Sequence, residues 1–244
     1  MIPDRSANKS IRLLFLLLCL CFGASAQCDP LRVAVAANFK PVLERLVSAW
    51  NPGNDVTISA GSTGALYAQI INGAPFDVFF AADSDRPRRL DEAGLARSRQ
   101  TYGYGRLAFW QPGADESNEA SLTTWTNTLA IANPRHAPYG RAAMEVMEKL
   151  DHPNLRTIRG SNIAQAHTFV ATGNVPAGLV ALSQLKTINA AVETYWIVPD
   201  SYHKPIEQQL VIVSGADERA DHLVAFLDTI DARQIMNSAG YGLP

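Results

Sequence analysis

Cysteine is nearly absent: the 244 residues hold three, Cys19, Cys21 and Cys28. The first two fall in a stretch built like a removable leader, so the processed chain keeps Cys28 alone. One thiol closes no internal disulfide, which excludes the disulfide-stapled class of exported protein and leaves packing to hold the fold. Gln27 ahead of Cys28 fits a lipidation site poorly. Charge is scarce too, at 18% of residues, with 21 Lys+Arg against 23 Asp+Glu. Without a basic excess the chain lacks the surface that nucleic acid requires. Long apolar runs are missing: LLFLLLCLCF, residues 13–22, has ten residues where a spanning helix needs about 20. A hydrophobic content of 47% excludes disorder and is ample for a core.

Signatures of catalysis are missing as well. The sequence has no HExxH, no GxxxxGK[ST] and no GxSxG. Its five histidines (His136, His152, His167, His203 and His222) show no zinc-ligand spacing. GYGRLA, residues 103–108, matches a relaxed GxGxxA fingerprint but leads into a strand rather than a helix, so a dinucleotide site is rejected. Asp77, Asp83, Asp85, Asp91 and Glu92 read as a solvated, capped helix, and His167 as a hydrogen-bonded structural histidine. Tyr102, Tyr104, Tyr139, Tyr195 and Tyr202 are too dispersed to favour a ferric site.

What is present begins with a leader. Arg5, Lys9 and Arg12 precede the apolar run, and Ala24-Ser25-Ala26 follows it, which predicts a cleaved signal peptide over residues 1–26 and export to the periplasm. Cleavage leaves 18 Lys+Arg and 22 Asp+Glu, a net charge of −4.

Beyond residue 26, short apolar strands alternate with amphipathic helices, the pattern of an α/β fold with largely parallel pairing. LRVAVAA at 31–37 is apolar throughout, as a strand covered on both faces should be. Further strands are expected at 55–60, 76–81, 107–110, 129–132, 157–158, 177–181, 195–198 and 209–213. Helices are expected after residue 41, at 65–71, around Leu90, at 140–150 and 163–171, and as a pair within 220–239. Residues 111–123 read as polar surface. No Gly/Ser linker interrupts the chain, which suggests two lobes joined by strands crossing near 105–110 and 205–210. The predicted architecture is a two-lobed periplasmic-binding-protein fold, type II-like. Lobe 1 takes residues 27–106 plus 209–244, and lobe 2 takes 107–208.

Four strand-to-helix turns stand out: Ala36-Ala37-Asn38-Phe39, Gly61-Ser62-Thr63-Gly64, residues 133–140 (NPRHAPYG) and Gly160-Ser161-Asn162-Ile163. Helix N-termini offer unpaired N–H groups and a positive dipole end, so each turn is suited to an anion. Ordinary N-capping accounts equally well for any one of them. Four, two in each half, admit both capping and an anion cleft beyond the carboxyl ends of the strands. Charged residues are nearly absent from these turns, Arg135 and His136 being the exceptions.

Five segments in order, Ala36-Ala37-Asn38-Phe39, GSTGALYAQIINGAPFDVFFAAD (61–83), ANPRHAPYG (132–140), SNIAQAH (161–167) and AGYGLP (239–244), resemble the periplasmic molybdate-binding proteins of ABC transporters. The resemblance spans essentially the whole mature chain. It implies a non-enzymatic solute-binding protein, expected to be monomeric and without a cofactor, that closes on molybdate or tungstate and delivers it to a membrane permease. It implies anion contacts from Asn38 (side chain and N–H), Ser62 and Thr63 (hydroxyl and N–H), and the backbone N–H groups of Tyr139 and Ile163. Counting molybdate as a metal, the metal-site residues are Asn38, Thr63, Tyr139 and Ile163. The sequence departs from a common form of the family: Asn38 stands where many members have Ser, and Ala181 stands where many have a Tyr whose hydroxyl donates to the anion. The Asn38 NH₂ is expected to face the anion. Alternative readings are a binding protein for sulfate or ferric iron, and a secreted α/β hydrolase.

Overall fold

The computed structural model describes residues 29–50, 55–152 and 154–244. The leader expected over 1–26 and the thiol of Cys28 lie outside the described residues.

Two five-stranded sheets form the frame. The first begins with β1 (Leu31–Ala36), which runs parallel to β2 (Val56–Gly61) and to β3 (Val78–Phe80). The second begins with β6 (Leu129–Ala132), parallel to β7 (Thr157–Gly160) and β8 (Ala177–Ala181). Four other strands complete the sheets: β4 (Ala96–Gly105), β5 (Leu107–Trp110), β9 (Tyr195–Ile197) and β10 (Ile206–Val213). The orders are β2-β1-β3-β10-β4 and β7-β6-β8-β5-β9. Every antiparallel pairing involves one of these four. They are the strands that carry the chain between sheets, out from β4 to β5 and back from β9 to β10, and a strand that returns through the same opening runs opposite to its neighbour.

Side-chain alternation shows why the strands read as unbroken apolar runs. In β1, Leu31, Val33 and Val35 join a core with α1 (Lys40–Trp50), α8 (Arg219–Phe226) and α9 (Ile230–Ser238). Ala34 faces the other way, toward α2 (Thr63–Ile71) and α3 (Asp85–Glu92). In β5, Leu107 and Phe109 pack with α5 (Pro138–Lys149), while Ala108 and Trp110 pack on the side of α6 (Ile163–Ala171). Each sheet is thus the middle of three layers, and period-2 alternation has no wet face to mark.

Four elements depart from the sequence reading. β4 falls where no strand was expected, and its outer positions carry Arg97 and Arg99, charges that blunt an edge. Two short helices, α4 (Glu119–Thr123) and α7 (Leu182–Thr187), complete the count, and α4 lies inside the stretch read as polar surface. β10 starts at Ile206, so residues 206–208 sit in the first sheet rather than with 107–208. Their pairing with Gly105, Tyr104 and Gly103 extends the first sheet up to the crossing itself.

Gly103 and Gly105, of the rejected fingerprint, serve this crossing. A Cβ on Gly105 would lie 2.2 Å from Tyr139 Oη and 2.3 Å from Gln208 Nε2. Gly105→Ala is therefore expected to destabilise the protein by about 1–3 kcal/mol, the usual range for overpacking a filled interior. Urea unfolding measures it, and a midpoint equal to that of the unmodified protein would contradict the contact.

Candidate functional site

The register of the parallel strands brings the four turns together in pairs. Ala36 pairs with Gly61 at the ends of β1 and β2, and Ala132 pairs with Gly160 at the ends of β6 and β7. Matching backbone bonds continue each pair: Ala37 N–H to the Gly61 carbonyl at 2.9 Å, and Asn133 N–H to the Gly160 carbonyl at 2.8 Å. Each sheet thus delivers two helix-opening turns side by side at its carboxyl edge.

The two edges face one another across a small cavity. It is lined by residues 36–38, 61–63, 82, 137–139, 162 and 163. Asn38, Ser62, Thr63, Tyr139 and Ile163, the five residues singled out in the sequence, all border it. No charged side chain does. The cavity is small, about 10 Å³. Sites for organic ligands run to about 300–1,000 Å³, so this one suits a small inorganic guest.

Local chemistry fixes what each turn offers. Ser62 caps α2, its Oγ accepting from Ala65 N–H at 3.3 Å, and Asn162 caps α6 by accepting from Gln165 N–H at 3.0 Å. Thr63, Tyr139 and Ile163 lie within the first turns of their helices, where N–H groups have no intrahelical acceptor. Thr63 Oγ1 accepts from Ala82 N–H at 3.1 Å, which leaves the hydroxyl proton uncommitted. Pro138 opens α5, where its missing N–H costs nothing, and Gly140 lets the helix approach β6: a Cβ there would lie 2.3 Å from the Ala132 carbonyl oxygen.

Asn38 is held from behind. Phe39 packs on Phe80, Tyr102 and Tyr241 with ring centroids 5.5, 4.7 and 5.3 Å away. The Asn38 amide corrects one expectation: Nδ2 donates to Gln208 Oε1 and to Tyr241 Oη, both at 3.0 Å, while Oδ1 is buried without a partner. Tyr139 turns its phenol to Gln208, 3.1 Å from Nε2. Burial, and after it the neighbouring phenols, hold Tyr102 and Tyr139 well above the ordinary tyrosine range, and burial raises Tyr241 likewise. All three stay protonated at neutral pH.

Several contacts tie the two edges. Gly64 N–H donates to the His136 carbonyl at 2.9 Å, Ser183 Oγ donates to the Asn38 carbonyl at 3.2 Å, and Arg141 meets Asp83 at 2.9 Å. Asp83 also binds Arg86, and Asp77 is clamped by Arg32. These two carboxylates are thus buried and paired, unlike Asp85, Asp91 and Glu92, which bind arginines at the surface. His167 does not border the cavity. It stacks on Trp110 at 4.9 Å with Nε2 unpartnered, so ring packing replaces the expected hydrogen-bonded role, and burial lowers its pKa. Ala181 is fully buried at the N-cap of α7, where its N–H donates to Gln184 Oε1 at 3.1 Å. Among the described residues no cluster of three His, Cys, Asp or Glu is placed to hold a metal ion.

Sequence reasoning left out Gln208, Tyr241 and Ser183. Gln208 carries a signal, as a polar residue in the apolar strand IEQQLVIV that is 0% exposed. Tyr241 lies in AGYGLP, a segment that the resemblance includes without a role.

Residues 31–242 match the family described as bacterial extracellular solute-binding protein. The chain belongs to that family. The chain is 40% identical over 234 residues to the molybdate-binding protein ModA of Azotobacter vinelandii, covering 91% of this chain and 93% of that one. It is 41% identical over 221 residues to that of Rhodobacter capsulatus, covering 85% and 86%. The solved periplasmic molybdate-binding protein of A. vinelandii superposes with a TM-score of 0.81 at 36% identity, over 88% of this chain and 99% of that one. The sulfate-binding protein SubI of Mycobacterium tuberculosis shares the fold, with a TM-score of 0.73 at 15% identity.

Proposed function

We propose that this extracytoplasmic solute-binding protein captures molybdate, and tungstate with it, in the cavity between its two sheets and delivers the anion to an ABC importer. The observation that carries the reading is the cavity wall: small, free of charged side chains, and set at four helix-opening turns. Backbone N–H groups of Asn38, Thr63, Tyr139 and Ile163, with the hydroxyls of Ser62 and Thr63, supply donors that need no counter-charge. Residues 27–106 plus the segment from β10 onward act as one lobe and the intervening residues as the other. The anion bridges them, and closure removes water, which strengthens every hydrogen bond to it. The protein works as a periplasmic monomer, released from its leader, and performs no chemistry on its cargo.

Selectivity follows from the same wall. Phosphate keeps a proton near neutral pH and needs an acceptor. Sulfate is smaller and leaves some donors out of reach. Titration calorimetry with molybdate, tungstate, sulfate and phosphate is expected to give tight binding for the first two and at least 100-fold weaker binding for the others. Equal affinity for sulfate and molybdate would refute the size argument. Molybdate at 100 times its Kd is also expected to stabilise the fold by about 2.7 kcal/mol, read as a rise in Tm.

A further inference from the structure

We propose that Gln208 is a positioning residue that decides which face of the Asn38 amide meets the anion, through a hydrogen-bond relay whose polarity reverses as one unit. The proposal rests on the oxyanion reading above. Gln208 does not border the cavity, yet it bonds to two residues that do, Asn38 and Tyr139, and to Tyr102 behind them.

In the observed polarity Asn38 Nδ2 donates to Gln208 Oε1, the same oxygen lies 2.7 Å from Tyr102 Oη, and Gln208 Nε2 donates to Tyr139 Oη. This arrangement leaves Asn38 Oδ1 buried and unpartnered on a residue that lines the cavity. An amide oxygen offered to an oxyanion repels it. An amide N–H binds it.

A half-turn of both amides exchanges oxygen for nitrogen with no movement of the backbone. Gln208 Nε2 then occupies the position 3.0 Å from Asn38 and donates to its oxygen. Tyr102 accepts from the same group and sends its own proton to the Ala81 carbonyl, 3.1 Å away. Tyr139 donates to Gln208 Oε1 at 3.1 Å. Tyr241 donates to the Asn38 oxygen at 3.0 Å, and Ser183 keeps the Asn38 carbonyl at 3.2 Å. Every internal acceptor is satisfied, and the Asn38 Nδ2–H now stands where the unpartnered oxygen stood. The partner it lacks is an anion.

Neither amide turns alone. Rotating Asn38 by itself would bring its oxygen within 3.0 Å of Gln208 Oε1, two acceptors face to face. Gln208 is thus the switch that lets Asn38 act as a donor, and a serine at position 38, which rotates freely, would not need it.

The test is a double-mutant cycle read by calorimetric titration with sodium molybdate. Gln208→Glu, whose two oxygens only accept and therefore keep the Asn38 NH₂ turned away from the cavity, is expected to raise the Kd at least 10-fold more in the Asn38 protein than in the Asn38→Ser protein. An equal loss in both backgrounds, or no loss in either, overturns the relay. A second measurement needs no variant: on molybdate titration the side-chain amide ¹⁵N–¹H signals of Gln208 are expected to shift in step with those of Asn38. Movement of Asn38 alone overturns the proposal. Failure of the unmodified protein to bind molybdate overturns the oxyanion reading itself, and the relay with it.

Discussion

Ile163→Pro is expected to weaken molybdate binding about 100-fold while leaving the helix that starts there in place. Position 163 is the first residue of α6, where proline's fixed φ suits the helix and the missing N–H breaks no intrahelical bond. Asn162 ahead of it is extended, at φ −149° and ψ 178°, a conformation that a residue preceding proline adopts freely. The substitution therefore removes one donor from the cavity wall and puts a ring carbon in its place. A hydrogen bond to a charged group contributes about 1.5–3 kcal/mol, and two decades of affinity correspond to about 2.7 kcal/mol. Ile163 is also buried against Ala166 and its neighbours, so Ile163→Ala serves as the control for lost packing. Calorimetry that finds the proline variant within threefold of the alanine variant would show that this N–H does not contact the anion.

Thr63→Val carries the other large effect, a 10- to 100-fold rise in Kd. Valine keeps the shape of threonine and deletes the hydroxyl, whose oxygen is bonded to Ala82 N–H and whose proton is uncommitted. The same deletion strands the Ala82 N–H in a buried place, so stability should also fall, by about 1–3 kcal/mol. The two losses separate by measuring Kd well below the unfolding transition. Thr63→Ser, which retains the hydroxyl, is expected to bind within about threefold of the unmodified protein. If valine and serine variants bind equally, the hydroxyl is only a structural acceptor.

How much of this was legible from residue order depends on how local the cause is. β1 could be read because both of its faces are covered, Leu31, Val33 and Val35 on one and Ala34 on the other, which makes the run apolar without a break. The turns could be read because capping chemistry is written in neighbouring residues: Ser62 with Ala65, and Asn162 with Gln165. β4 could not. Its sequence ARSRQTYGYG is polar and glycine-bearing, and it is a strand because β10, more than a hundred positions away, pairs with it. α7 follows β8 without a break and is capped by a glutamine side chain rather than by Ser, Thr, Asp or Asn. The relay behind Asn38 is the extreme case, since its central bond joins residues separated by 170 positions. The turn of the Asn38 NH₂ toward Gln208 could not be read for this reason: its acceptor is distant in sequence.

The two crossings between the sheets leave side by side. Gly105 pairs with Ile206 on one side of the junction, and Ala108 pairs with Ile197 on the other. Arg106 is the only residue between β4 and β5. The outward crossing is thus a one-residue link between two paired strands, while the return runs through residues 198–205, which include a short 3-10 turn at Asp200–Tyr202. The lobe motion proposed above would pivot on this joint, with Arg106 as its one-residue link. With so short a link, the four turns proposed to hold the anion, two on each sheet, would have little orientational entropy to surrender as the sheets come together.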